Sequence, residues 1–258
     1  MKVIILAGGF GTRLSEYTEI TPKPMVKVGD KPIIMHIMNH YAEYGHKDFL
    51  IALGYKSSIL KDYFLNYKEF NSDFSINLKS GEKFFYKEFF DDWSVGLIDT
   101  GIHTMTGGRL KRLKNHIGSE RFMMTYGDGV SNVDINALLD FHQNHGKLVT
   151  MTAVRPGAKF GELTIKNDQI VEFEEKPQLG SGWINGGFFV MEPKFLEYID
   201  DDETMLERSP IENAAKDGQV MAFKHDEFWH CMDTKKDHDE LELLWETGER
   251  PWLKNVKS

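Results

Sequence analysis

The chain predicts an α/β fold in which a mostly parallel sheet carries helices on both faces. Three observations carry that expectation. Short apolar runs such as VIIL (Val3 to Leu6) and DFLIALG have the length of buried strands, helical apolar periodicity fills the intervals between them, and glycines close the units. Taken in order, VIIL is the first strand. KPIIMHIMNHYAEYG then reads as an amphipathic helix, with Ile33, Ile34, Ile37, Met38 and Tyr41 on one face and Gly45 as its stop. DFLIALG is a second strand and Ser57 to Leu65 a helix. RFMMTYGDG is a strand that runs into a loop, Ile135 to Asn144 a helix behind the cap region of Asn132 and Asp134, and LVTMTAV a further strand. Between Phe70 and Val95 the rhythm lapses into NSDFSINLKSGEKFFYKEFFDDWSV, which suits a β-hairpin or an oligomer contact. Phe160 to Val190 carries short strands and glycine-rich turns fit for the floor or rim of a substrate site, and Thr234 to Glu246 reads as a closing helix.

Composition narrows the function. With 258 residues and 41% hydrophobic content the chain can bury a substantial core, so one globular unit is expected. A formal charge of −9 argues against a general nucleic-acid surface, which needs a basic stripe, and any polyanionic ligand must find positive charge locally. The five-residue run from Val3 to Ala7 is too short for a membrane span, and the single Cys231 has no disulfide partner, so a reducing, cytoplasmic setting is expected. Cys231 also lacks an upstream catalytic partner and reads as a small buried hydrophobe. His142 and His145 stand three apart on a helix with no third ligand in range, which argues against zinc.

The chemistry-bearing stretch is LAGGFGTRL, Leu6 to Leu14. Three glycines in four positions after a strand are costly in chain entropy, and a bare loop there lets backbone N–H groups approach a phosphate. The same pattern also suits a plain tight turn. Two familiar phosphate loops do not match: the dinucleotide fingerprint wants a small residue where Leu14 stands, and the P-loop wants Lys-Ser/Thr where Thr12 and Arg13 stand. Farther on, PKPMVKVGDKP holds Lys23 between two prolines that fix the backbone on either side. Arg13 and Lys23 would then set two cations beside the loop, enough to face a triphosphate.

LAGGFGTRL followed by PKPMVKVGDKP, with TYGDG at Thr125 to Gly129, EKP at Glu175 to Pro177, NGGFFV at Asn185 to Val190 and FWHCMDT at Phe228 to Thr234, resembles the sugar-nucleotide-forming nucleotidyltransferases. The resemblance implies a Rossmann-like three-layer α/β/α fold with a mostly parallel mixed sheet and a small β-hairpin and C-terminal appendage. It implies one domain over 1–258, with 1–155 mainly nucleotide-binding, 156–233 mainly sugar-phosphate-binding and 234–258 a helical tail. It implies transfer of a nucleotidyl group to a sugar 1-phosphate with loss of pyrophosphate. The stretch DTGIHTMTGGRLKR, Asp99 to Arg112, is similar to the branch that takes CTP and glucose 1-phosphate, where thymidylyl- and uridylyltransferases usually show a glutamine and then a Gly-Thr-Ala run.

Roles follow from the resemblance residue by residue. Leu6, Ala7, Gly8, Gly9, Phe10, Gly11, Thr12, Arg13, Lys23, Thr106, Arg109 and Gly127 would bind the nucleotide, Arg13 gathering the departing pyrophosphate and Lys23 the α-phosphate or its bridging oxygen. Asp128 and Asp233 would hold Mg²⁺, whose chemistry asks for hard carboxylate oxygens. Lys176 would hold the sugar's phosphate, and Glu175, Asn185 and Gly186 its hydroxyls and ring. Arg109 can also be a plain helix-start arginine in a basic RLKR face. Six aromatics in the ten positions from Phe84 to Trp93 point to self-association, hence a homo-oligomer. The retained Arg13, Lys23, Asp128 and Asp233 favour a catalyst over a sugar-nucleotide sensor, and the incomplete fingerprint argues against a nicotinamide-dependent oxidoreductase.

Overall fold

In the computed structural model, which describes residues 1–86, 91–156, 162–166, 169–174 and 182–253, the first apolar run forms β1 (Lys2–Leu6) inside a seven-stranded sheet. On one side of β1 lie β2 (Asp48–Leu53) and then β3 (Ser94–Asp99), both parallel to it. On the other side lies β4 (Phe122–Tyr126), again parallel. The sheet continues through β5 (Val149–Val154), β6 (Ile184–Met191) and β7 (Val220–His225), in the spatial order β7, β5, β6, β4, β1, β2, β3. Only β6 runs against its neighbours, so the sheet is mixed but mostly parallel, as the sequence predicts.

Helices cover both faces because alternate strand residues feed two separate cores. Val3 and Ile5 point to one core, with residues of α1 (Ile33–Glu43), α2 (Ser57–Leu65), α4 (Ile135–His145) and α6 (Lys235–Glu246). Ile4 and Leu6 point to the other, with α3 (Thr106–Arg112), the turn at Lys114–Ile117 and α5 (Ser209–Lys216). The face anticipated for α1 is wholly buried, and Gly45 follows its end at φ +85°. Asp134 caps α4 by accepting from the Ala137 N–H, and Thr234 with Asp237 forms a reciprocal capping box that starts α6.

Three features differ from the sequence reading or extend it. The lapse after Phe70 holds a hairpin of Phe74–Ile76 and Lys83–Phe85, as expected, but SVGLID at its end returns to the sheet as β3. β3 is an edge strand, half buried and interrupted by Gly96, so it lacks the apolar signature of its neighbours. Second, β6 is bulged where it passes β5: the register slips at Gly186 to Phe188, with Gly187 at φ +75° and Phe188 at φ +47°. The unusual Phe188 backbone is held by a bond from the Thr152 hydroxyl to its carbonyl and by burial of its ring against Tyr41. Third, α6 packs into the main core: His238 bonds the Lys27 carbonyl, Glu242 accepts from the Gly29 N–H, and Trp252 is buried and donates to His36.

The chain order places the site. After β1 it builds outward through β2 and β3, then returns to the far side of β1 with β4. A sheet whose order reverses in this way leaves a crevice at the carboxyl ends of the two strands flanking the reversal, here β1 and β4. The glycine loop follows β1 and the TYGDG turn follows β4, so both open at that crevice. Among the described residues no helix is long and apolar enough to cross a membrane.

Candidate active site

The crevice is a cleft of about 540 Å³ lined by residues 6–13, Lys23, Pro24, 102–106, Arg109 and 126–128. Every residue that the sequence reading assigned to the nucleotide thus lines one cavity. Its glycines serve separate purposes. Gly11 lies at φ +64°, ψ +31° and begins the 3₁₀ turn Thr12–Leu14, with its carbonyl accepting from the Leu14 N–H and the Thr18 hydroxyl. Gly9 is exposed with open space beside it, so its backbone is free to meet a ligand. Gly8 is different, because a Cβ there would lie 2.3–2.8 Å from the guanidinium of Arg109.

Arg109 is 4% exposed and, among the described residues, pairs with no carboxylate directly. Instead it donates to the carbonyls of Leu53, Gly101, Gly8 and Ile102 and to the Thr100 hydroxyl, at 2.6–3.2 Å. Burial without a counter-ion lowers its pKa from the ordinary value, with Asp99 opposing the shift. The sequence offered a nucleotide contact or a plain helix-start arginine for this residue. In the structure it reaches the cleft, but its donors are spent joining the ends of β1, β2 and β3. Gly54 is bare for the same reason, since its Cβ would fall 2.5 Å from Arg109 Nη1.

The glycine pair Gly107 and Gly108 has yet another cause. The segment 202–206 crosses the start of α3 and takes up its free N–H groups: Met105 donates to the Asp202 carbonyl and Gly107 and Gly108 to that of Thr204. A Cβ on Gly107 would meet the Thr204 carbonyl at 2.7 Å, and one on Gly108 the Asp202 Cα at 2.6 Å. Thr106 accepts from the Leu206 N–H and donates to Glu207.

Opposite the glycine loop stands the charged centre. Asp128 follows β4, and the short ladder of Gly129–Ser131 with Trp229–Cys231 lays the FWHCMDT stretch beside it; the Met232 N–H closes onto the Asp128 carbonyl. This brings Asp233 next to Asp128. Lys23 Nζ lies between them, 2.5 Å from Asp128 Oδ2 and 2.6 Å from Asp233 Oδ1, and Arg13 Nη1 is 2.9 Å from the other oxygen of Asp233. Burial opposes the charge on Lys23, yet the attraction of Asp128 and the bonds to both carboxylates outweigh it and raise its pKa. Arg13 is 72% exposed along its side chain and keeps most of its donors open to the cleft.

Asp128, Cys231 and Asp233 present ligand atoms within 4.8 Å of one another. Burial and then the charge of Asp128 push the Cys231 thiol well above its usual range, so it stays a protonated, soft group. The carboxylates therefore supply hard oxygens alone, which fits a small hard divalent cation and suits zinc poorly.

Beside the cleft residue Tyr126 lies Asn185, donating to its hydroxyl at 3.2 Å while its Oδ1 accepts from the Gly187 N–H. The Gly186 carbonyl accepts from the Trp229 indole at 2.7 Å. Asn185 and Gly186 are not among the residues that line the cleft, and Asn185 reaches it through Tyr126; Glu175 and Lys176 lie outside the described residues. The sequence reading missed Tyr126, Glu207 and the 202–206 crossing. Tyr126 stood inside the quoted TYGDG stretch; Glu207 has no local signature, being one exposed acid in a polar loop.

The sequence profile described as Nucleotidyl transferase matches residues 2–236. A glucose-1-phosphate cytidylyltransferase of Salmonella typhimurium is 47% identical over 98% of both chains. A probable glucose-1-phosphate cytidylyltransferase of Bacillus subtilis is 39% identical over 98% of this chain and 99% of its own. Among solved structures, HddC from Yersinia pseudotuberculosis superposes with a TM-score of 0.69 at 21% identity, covering 95% of this chain and 99% of its own, a likeness of fold.

The packing of Gly8 against Arg109 gives a direct test. Gly8→Ala should displace the guanidinium and cost about 2–4 kcal/mol, and Arg109→Met about 3–5 kcal/mol by leaving buried carbonyls unpaired. Because both break one interaction, the double variant should be less destabilised than the two changes added, by 1 kcal/mol or more in urea unfolding. Additive losses would show that the two residues act separately.

Proposed function

The chain belongs to the nucleotidyl transferase family, and from that membership we propose that it transfers a cytidylyl group from CTP to α-D-glucose 1-phosphate, forming CDP-glucose and pyrophosphate. The observation that carries the reading is the end-to-end identity of 47% with a glucose-1-phosphate cytidylyltransferase. The cleft supports it, with bare backbone at Gly9, two cations and two carboxylates at a single opening.

The reaction asks the protein for positioning and charge. An anionic oxygen of the sugar phosphate bonds to the α-phosphorus while the bond to the bridging oxygen breaks, its electron pair leaving with pyrophosphate. The nucleophile brings its own charge, so no general base is required. In this reading residues 6–12 and Gly127 seat the triphosphate, Arg13 stabilises the departing pyrophosphate and Lys23 moves to the α-phosphate. Asp128 and Asp233 hold Mg²⁺, which when bound supplies further positive charge to the phosphates. Lys176 takes the sugar's phosphate, and Glu175, Asn185 and Gly186 take its hydroxyls and ring; Asn185 has one amide hydrogen left for that purpose. Thr106 and Arg109 shape the base-side wall.

Cytosine presents an amino donor at its 4-position where uracil presents a carbonyl. A selective wall offers an acceptor there, which a uracil leaves unpaired at a cost of roughly 1–3 kcal/mol. The carbonyls of Gly8, Gly101 and Ile102 already accept from Arg109. Each of these keeps a second lone pair, so the acceptor is a backbone carbonyl near the opening loop or in the stretch from Thr100 to Arg112. A cytoplasmic setting suits a triphosphate-using enzyme with one reduced thiol. The exposed Phe84 and Tyr86 of the hairpin, 64% and 65% accessible, support self-association with a second copy. Trp93 does not belong to that surface, since it packs on Phe49 in the core, and Phe89 lies outside the described residues.

Pyrophosphate release with CTP, UTP, dTTP, ATP and GTP against glucose 1-phosphate tests the base. The expected order places CTP first, with kcat/KM over UTP at least about fivefold; an advantage below about threefold would overturn the assignment. For the charged centre, Asp128→Asn and Asp233→Asn should each lower Mg²⁺-dependent turnover by a hundredfold or more without loss of fold, and near-normal rates in a folded variant would remove that carboxylate from the site. Light scattering should report more than one chain per particle, and a 29.8 kDa monomer at micromolar concentration would refute self-association.

A further inference from the structure

The strap that crosses α3 ends at Glu207, and this carboxylate is bonded to two walls of the cleft at once. Its Oε2 accepts from the Thr106 hydroxyl at 2.7 Å and its Oε1 from the Tyr126 hydroxyl at 2.7 Å. Thr106 is the first residue of α3 on the base side. Tyr126 is the last residue of β4, two positions before Asp128, and its hydroxyl also accepts from Asn185 on the sugar side. A continuous line of hydrogen bonds thus runs from Asn185 through Tyr126 and Glu207 to Thr106, joining segments 81 and 101 positions away from Glu207.

We propose that Glu207 is a positioning residue for the transfer, a clamp that fixes the nucleotide wall and the sugar wall of the cleft relative to each other and so makes the binding of one substrate favour the other. This deepens the proposed function and rests on its division of the cleft. Three considerations exclude simpler roles. A carboxylate repels polyanions, so Glu207 is no phosphate ligand. Both its oxygens already accept from hydroxyls, and bonds to an ionised acceptor are the stronger kind. The strap needs no side chain at 207 to hold α3, because the carbonyls of Asp202 and Thr204 do that. What the side chain adds is the reach to Tyr126. Its hydroxyl donates to Glu207 and accepts from Asn185, so it relays between them.

The test reads coupling between sites, which a merely structural role would not move selectively. The dissociation constant of glucose 1-phosphate is measured by calorimetry with and without α,β-methylene-CTP, for wild type, Glu207→Gln and Glu207→Ala. Wild type should bind the sugar phosphate about tenfold more tightly when the analogue is bound. Glu207→Ala should reduce that factor to below twofold while binding the analogue alone within about threefold of wild type. Glu207→Gln, which keeps shape and one acceptor oxygen, should fall between, and it serves if the alanine variant does not fold. In turnover, KM for glucose 1-phosphate should rise more than kcat falls. Full coupling in either folded variant, or no coupling in wild type, overturns the clamp. Failure of the proposed function would show differently, as absence of wild-type turnover with CTP and glucose 1-phosphate.

Discussion

Two carboxylates held side by side repel, and the crevice is organised around the cations that make the pair tolerable. Asp128 and Asp233 lie far apart in the chain and meet only because a three-residue ladder joins the strand after Asp128 to the strand before Asp233. Lys23 then sits between them, and Arg13 covers the remaining oxygen of Asp233. Two negative and two positive groups leave the centre balanced, so a chain of net charge −9 opens a locally neutral pocket to its surroundings. The prolines on either side of Lys23 matter here, since Pro22 precedes and Pro24 lies within the tight 3₁₀ turn Lys23–Met25 that aims the lysine inward. A flexible backbone there would lose further conformational entropy when the lysine is captured.

The same frame explains why the backbone is bare at so many positions, and the reasons differ. Gly11 carries a left-handed conformation, Gly9 has open space before it, and Gly8 and Gly54 make room for a guanidinium. Gly107 and Gly108 make room for a crossing strap. A loop that looks like one phosphate cradle in sequence is thus part cradle and part socket for a buried arginine. Arg109 is costly to bury without a counter-ion, and five acceptors from three chain segments offset that cost. The return is rigidity where loops would otherwise move independently.

The fold was legible wherever the pattern was local. β1, β2, β4, β5 and the helices at Ile33, Ser57 and Ile135 follow from apolar periodicity and caps, with ends within about two residues. β3 was not legible, because an edge strand shares only one neighbour and needs no apolar run. The cleft's first wall was legible as well, since Leu6 to Arg13 and Lys23 lie in one continuous stretch. The roles of Gly8, Gly107 and Gly108 were not, because each depends on a side chain or backbone brought from elsewhere by the sheet's order. Glu207 belongs to the same class: nothing in its own neighbourhood marks it, and only the tertiary crossing of α3 places it between Thr106 and Tyr126.

That crossing also bears on how the wall at 102–106, the base side in the proposed function, is held to a fixed width. The wall at 102–106 is tied at its start by Arg109, which takes the carbonyls of Gly101 and Ile102, and at its end by the strap, which takes the N–H groups of Met105 and Gly107. Only His103 and Thr104 lie between the two anchors. A span that short, fixed at both ends, discriminates by leaving a mismatched edge unpaired, because it cannot yield to meet it. The selectivity of such a wall is thus set by side chains behind it as much as by the atoms it presents. Changes along 202–207 would alter what the wall accepts without touching its surface.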